Sequence, residues 1–241
     1  MSEEKVIQHT KNAVAALHSE RTFGEKIKDF LGEIIIIIIA VSITLAFHNW
    51  NDERHEEKLA HNFLIGTAND LRLSAQSLDA SVVQFQPTLD YYTTVWDQIM
   101  KRKIDTKYVD SLSDYLRNSS YFTFDGSRFE GFKSSGYLRL ITNETLLKHI
   151  VTMYSIALPF ERDADINFFQ HRQEDFNKYI GVNAEVNASG DFVVSKMLNQ
   201  SAVRYQVYYY LQILTERKQH KQNIAKQMRI LADEIDGELK K

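Results

Sequence analysis

The sequence has no cysteine, which excludes disulfides, a thiol nucleophile, a zinc ribbon and a cysteine-held iron–sulfur cluster. Only 2 prolines and 9 glycines occur in 241 residues, so the chain is neither collagenous nor linker-rich. Charge of one sign is missing too: 29 basic against 32 acidic residues give a formal −3, which excludes a generally basic nucleic-acid-binding surface. Phosphate loops, dinucleotide glycine fingerprints, nucleophile elbows and zinc-protease helix motifs are absent as well. What remains is an ordinary globular composition broken by one long apolar run.

That run, Phe30 to Trp50, is FLGEIIIIIIAVSITLAFHNW. As a helix it rises about 31 Å, matching a hydrocarbon core of roughly 30 Å. The consecutive isoleucines Ile34 to Ile39 favour a strand in water, but in lipid only a helix satisfies every backbone donor and acceptor within the segment. Ser42 and Thr44 are tolerated because their hydroxyls bond back to the preceding turn. The segment after the run offers no small-x-small cleavage site, which points to an uncleaved signal anchor. Lys11, Arg21, Lys26 and Lys28 precede it, and only Arg54 and Lys58 follow closely, favouring a cytoplasmic N-terminus. Trp50 then sits at the outer headgroup level. Glu33, the one acid inside the span, has two readings. It is either an ion-coupling carboxylate or, one turn from the cytoplasmic end, an interfacial cap beside Gly32.

The expected organisation is a cytoplasmic tail (1–29), a transmembrane helix (30–50) and a helical extracytoplasmic domain (51–241). Val6 to Leu17 suggest a brief helix in the tail, which is too short for an output module. Leu64, Leu71, Leu78 and Phe85 repeat every seven residues and predict a helix with a narrow apolar face from Asn51 to about Phe85. Pro87 is expected to end or kink it, with a second helix from Thr88 to Arg102. A short helix over 105–117 carries Asp105 or Thr106 as N-cap. Asn118 to Gly136 is expected as a loop tied down by Tyr121, Phe122, Phe124, Phe129 and Phe132. With only Arg128 and Lys133 as cations, it is a poor base-stacking surface.

Asn143 is expected to cap the next helix, and Pro159 to kink or interrupt it. By composition Gly181 to Asp191 is a loop. From about Lys196 to Leu239 no proline occurs, and Val203, Val207, Tyr210, Leu214, Ile224, Met228, Leu231, Ile235 and Leu239 form a seam. Arg217 and Lys221 interrupt that seam. The fold class is therefore all-α: one transmembrane helix continuing into an extracytoplasmic helical bundle, with the first and last helices paired as a long antiparallel stalk. Lys240 and Lys241 suit either a helix C-terminus or anionic lipid.

Two stretches, GEIIIIIIAVSITLAFHNWNDER (Gly32 to Arg54) and FEGFKSSGYLRLITNETLLKHIVTMY (Phe129 to Tyr154), resemble the two signatures of DUF6090, a domain-of-unknown-function family of bacterial single-span membrane proteins. They cover about a fifth of the chain at the family's separation. The resemblance implies a membrane protein and no catalytic activity. It also marks Gly32, Glu33, Asn49, Trp50 and Asn51, with Lys133, Ser134, Ser135 and Gly136, as membrane-interface or interaction candidates.

Chemistry is sparse. Ser134-Ser135-Gly136 lacks the setting of a hydrolase nucleophile and reads as a turn. Glu161, Asp165, His171, Glu174 and Asp175 share one segment, but the paired Glu-x-x-His motifs of a di-iron bundle are missing, so solvated charge is the default. His55 and His61 do not share a helix face closely. Asn-x-Ser/Thr sites at Asn118, Asn143, Asn187 and Asn199 carry no meaning in a bacterium without that glycosylation machinery. The expectation is a non-catalytic, single-pass structural or interaction subunit of a bacterial inner-membrane complex. It has no cofactor, metal, nucleic acid or identified small-molecule substrate. Its partners are the bilayer and either a second protein or another copy of itself. The alternative is a helical ligand-sensing domain signalling through a separate partner, with Trp96, Tyr208, Tyr209 and Tyr210 as pocket candidates.

Overall fold

The computed structural model describes residues 23–112, 115, 121–168, 170 and 174–241, and for 23–30, 32 and 33 the backbone alone. The expected tail helix Val6 to Leu17 lies outside the described residues. The fold is all-α. Helix α1 runs from Phe23 to Lys101, and α2 (Thr106–Asp110), α3 (Ser127–Ser134) and α4 (Glu144–Thr152) follow. A π-turn, Met153–Ala157, leads into α5 (Leu158–Ile166), then come α6 (Glu174–Asn183) and a 38-residue α7 (Ser201–Glu238). The chain divides into two compact units, Met1–Glu56 and Glu57–Lys241.

In the first unit Ile34 to Ile39, Val41, Ile43, Leu45 and Phe47 are all exposed, so α1 is apolar on every side there. Such a helix has no polar face to give to water and is at home in lipid. One helix, near the N-terminus, is thus long and apolar enough to cross a membrane. Thr44 Oγ1 donates to Ala40 O at 2.9 Å, which satisfies that hydroxyl inside the helix.

The second unit is built on the two seams. Leu64, Leu71, Leu78 and Phe85 of α1 are buried, as are Val203, Val207, Tyr210, Leu214, Ile224, Met228, Leu231 and Ile235 of α7. Within this unit the two helices run antiparallel. Arg72 pairs with Asp236 at 2.5 Å and Asp233 at 3.1 Å, Asp79 pairs with Arg229, and Tyr92 stacks on Tyr210 at 5.3 Å. Residue numbers rise along α1 as those of their partners fall along α7. Two apolar cores form along this pair. One joins Phe63 to Leu78 with α3, α4 and Ile224 to Ile235. The other joins Val82 to Val95 with Val109, Phe176, Ile180 and Val203 to Leu214.

Three expectations need correction. Pro87 neither ends α1 nor starts a second helix. It lacks an N–H for Val83 O, but Val83 is 72% exposed, so that carbonyl is left to water and the helix continues. The aromatic stretch 118–136 is not all loop, because Ser127–Ser134 is helical. Its anchors Phe122, Phe129 and Phe132 are buried, whereas Tyr121 is exposed. The stretch 181–191 is not all loop: α6 runs to Asn183, and Glu185–Val186 pairs antiparallel with Phe192–Val193 beyond it, the turn closed by the Asn187 side chain accepting from Ser189 N and Asp191 N, each at 2.9 Å. The expected interruption at Pro159 takes the form of the π-turn just before it, with Pro159 in the first turn of α5. Leu146, Ile150, Tyr154 and Leu158 are all buried at steps of four. On an α-helix those steps drift by about 120° over three turns, and one widened turn absorbs the excess.

The expected caps form. Asp105 Oδ1 accepts from Tyr108 N at 3.1 Å, and Asn143 Oδ1 accepts from Leu146 N at 3.1 Å.

Candidate functional site

Between the two apolar cores, α5 and α7 meet through charge. Glu161 and Asp165 sit one turn apart on α5 and are fully buried. Facing them on α7 are Arg217, His220 and Lys221, with Lys221 only 1% exposed. The spacing explains the encounter. Leu214, Arg217, Lys221, Ile224 and Met228 follow steps of three and four, so both cations lie on the apolar seam itself. Arg217 and Lys221 are therefore less an interruption of the seam than its third layer. The expectation of solvated charge at Glu161 and Asp165 is wrong for the same reason: the opposite sign waits across the helix pair.

Burying an ion costs several kcal/mol unless its bonds are remade, so each lone pair matters. Asp165 Oδ1 accepts from Arg217 Nη2 at 2.5 Å, and Oδ2 accepts from Lys221 Nζ at 2.6 Å and from Phe122 N at 2.8 Å. Glu161 Oε1 accepts from Arg217 Nη2 and lies 3.6 Å from Lys221 Nζ. Its Oε2 accepts from Arg217 Nη1 at 3.3 Å and meets His220 Nδ1 at 2.6 Å. Two carboxylates against a guanidinium and an ammonium leave the layer neutral before His220 is counted. One donor is left over: Arg217 Nε is buried with no hydrogen-bond partner.

His220 links this layer to the surface. An ionised carboxylate can only accept, so the His220 Nδ1 hydrogen points at Glu161, while the side chain stays 39% exposed. Outside it lies a groove of about 480 Å³ lined by Phe160, Ala164, Asn167, Phe168, Ile213, Glu216, Arg217 and His220. A second groove, of about 390 Å³, follows α4 and α7, where His149 Nδ1 meets Glu234 Oε2 at 2.8 Å. A third, of about 440 Å³, is lined by Trp96, Met100, Arg204 and Tyr208 among others. Of the pocket aromatics expected from sequence, Trp96 and Tyr208 therefore line a groove, with rings 5.0 Å apart. Tyr210 is core, and Tyr209 stacks on Tyr205 at 5.7 Å.

The candidates drawn from the resemblance divide between the two compact units. Gly32 and Glu33 lie on α1, where the backbone alone is described. Asn49 and Asn51 are exposed on α1, and Trp50 lies under the Arg54 guanidinium at 4.6 Å from its ring centroid. Lys133 sits 3.4 Å from Glu130 and 5.6 Å over the Phe129 ring. Ser134 and Ser135 both donate their hydroxyls to Gly131 O, at 3.1 and 2.9 Å, and Gly136 follows with φ +73°. The left-handed backbone at Gly136 closes α3, and the serines serve that helix end.

His171 lies outside the described residues, and Glu174 and Asp175 are exposed. Among the described residues no three His, Cys, Asp or Glu side chains converge on a metal position. No family model matches the chain, and neither a curated protein nor a solved structure matches it.

Burial has marked effects on the tyrosines. It raises the Tyr91 and Tyr92 phenols well above the ordinary range, and Tyr154 likewise. Tyr91 also donates its hydroxyl to Val109 O at 2.6 Å.

Proposed function

We propose that this chain is a non-catalytic, single-pass subunit anchored in a bacterial inner membrane, with its N-terminus cytoplasmic and its helical domain periplasmic. Its role is to dock onto an envelope protein or onto another copy of itself. The observation that supports this reading most is the continuity of α1. The same helix that is apolar on all sides at Ile34 to Phe47 goes on to supply the buried stripe Leu64, Leu71, Leu78 and Phe85. The excess of Lys and Arg before Phe30 supports the orientation, and the DUF6090 resemblance supports the family.

The test is crosslinking in intact cells, purification through a C-terminal tag and mass spectrometry. A stoichiometric envelope partner, or a self-crosslinked pair, is expected. Recovery of the uncrosslinked monomer alone overturns the reading. A fusion reporter active only in the periplasm, placed at the C-terminus, checks the orientation and should be active. The second reading, a ligand sensor acting through a separate partner, is favoured by the groove beside His220.

A further inference from the structure

We propose that the outer face of α1, from Asn69 to Val83, is where a second copy of this chain docks, its own α1 lying alongside in parallel. The proposal rests on the subunit reading and deepens it by naming the partner and the surface. Spacing is the first observation. Asn69, Leu73, Gln76, Ala80 and Val83 follow steps of four and three, the repeat of a coiled-coil seam, and all of them are exposed. The buried Leu64, Leu71, Leu78 and Phe85 occupy the opposite position of the same heptad. Helix α1 thus carries two stripes, of which the domain's own core uses one. On the other, Leu73 is 63% and Val83 72% exposed.

Charge selects the occupant. Among the described residues from Ile65 to Pro87, Asp79 is the one exposed charge on α1, and it pairs with Arg229 of α7. Arg72, beside the seam, is turned to Asp233 and Asp236. Solvent-facing surface ordinarily carries about 25–35% charged residues, so a neutral face of this length is a departure. In a parallel pair each seam residue meets its own copy, and any charge there would face its like. A neutral seam is therefore the condition for self-pairing, and it offers an acidic or basic partner nothing to recognise.

The two amides point the same way. Asn69 and Gln76 lie one heptad apart at the same seam position, where facing amides hydrogen-bond each other and fix the register of a parallel pair. Leu73, Ala80 and Val83 supply the apolar contact. The seam ends at Val83, whose carbonyl, left free by Pro87, stays in water beyond it. From Asn69 to Val83 the helix rises about 21 Å, a short seam. The bilayer compensates by confining both copies, which raises their effective concentration, and one shared insertion sense brings like end to like end.

The chain has no cysteine, so single introduced cysteines report contact cleanly. The full chain is kept in native membranes and oxidised with copper phenanthroline. Leu73→Cys, Gln76→Cys and Ala80→Cys probe the seam, and Val182→Cys and Ile230→Cys probe exposed positions elsewhere. Disulfide-linked dimers are expected at all the seam positions, about tenfold above the two controls. Adding Gln76→Lys to Leu73→Cys sets like charges face to face and should lower the dimer about tenfold. Co-expression with a Gln76→Glu, Leu73→Cys copy should restore the crosslink between the two, which a folding defect would not permit. Equal yields at seam and control positions overturn the proposal, as do monomers throughout or a Leu73 crosslink indifferent to Gln76→Lys. Dimers at a single seam position mean an antiparallel crossing and overturn it too. A stoichiometric envelope partner captured while the seam cysteines stay monomeric removes this proposal and leaves the subunit reading standing.

Discussion

Replacing Lys221 by methionine should be among the most damaging single changes in the helical unit, although it swaps one long side chain for another. Lys221 Nζ sits 2.6 Å from Asp165 and 3.6 Å from Glu161, and all three side chains are essentially fully buried. Without the ammonium, two buried carboxylates face one guanidinium, with only Phe122 N and the His220 ring as further partners. Removing one partner of a buried ion pair costs about 3–5 kcal/mol, chiefly because the other charge is left unpaired. At about 2–4 °C per kcal/mol for a chain of this size, the unfolding midpoint should fall by roughly 6–20 °C. The decisive measurement is the cycle with Asp165→Asn. The amide introduced by that change keeps an oxygen for Phe122 N but turns its NH2 toward Arg217 Nη2, so it too costs stability, and the double variant returns the layer to one carboxylate against one guanidinium. Its loss should be smaller than the sum of the two single losses by about 1–3 kcal/mol. Circular dichroism during thermal and urea unfolding of the solubilised full chain reads all four proteins. Additive losses would refute the buried, coupled layer, and so would a Lys221→Met variant as stable as the parent.

A Cβ on Gly66 would overlap the Arg128 guanidinium, which pairs with Asp70 at 2.7 Å. Gly66→Ala should therefore change stability by less than about 1 kcal/mol, helix propensity offsetting a lost surface pair, and should become stabilising by about 1 kcal/mol once Arg128 is also replaced by alanine. Gly136→Ala places a side chain at φ +73° and should cost about 1–2 kcal/mol in a denaturation midpoint. Alkali should unfold the domain. The Tyr91, Tyr92 and Tyr154 phenols are raised above 10.0 in the folded chain, so the unfolded state releases their protons first. Stability is thus fully present below about pH 10 and falls above it by about 1.4 kcal/mol per pH unit for each tyrosine. Tyrosinate absorbance should show these three ionising together with the loss of helix. Gradual ionisation on a still-folded protein would contradict their burial.

Much of the fold is legible because its signals are local and repeated. The four apolar residues spaced by seven on α1, the proline-free seam on α7 and the Asn143 cap each state a helix in the sequence and appear as one in the structure. Proline misleads for a local reason with a non-local answer. Pro87 removes one donor, but whether that ends a helix depends on the carbonyl four residues back, and Val83 happens to face water. Pro159 is announced differently. The steps of four at Leu146, Ile150, Tyr154 and Leu158 are too long for an α-face, and that spacing, visible in the sequence, signals the π-turn.

The candidate site was harder to see because its evidence is a pairing between distant segments. Glu161 and Asp165, read alone, are two acids on a mixed helix, and such residues are almost always solvated. Arg217 and Lys221, read alone, are defects in an apolar seam. The four-residue spacing within each pair and their opposite signs are the readable clue, because cations at seam positions must either snorkel out or meet acids inside. Only the fold shows which. By packing α5 against α7 it sends Lys221 inward and leaves His220, one position earlier, at the groove. That one-residue offset separates a charge used to register two helices from an imidazole that joins the buried layer to the surface.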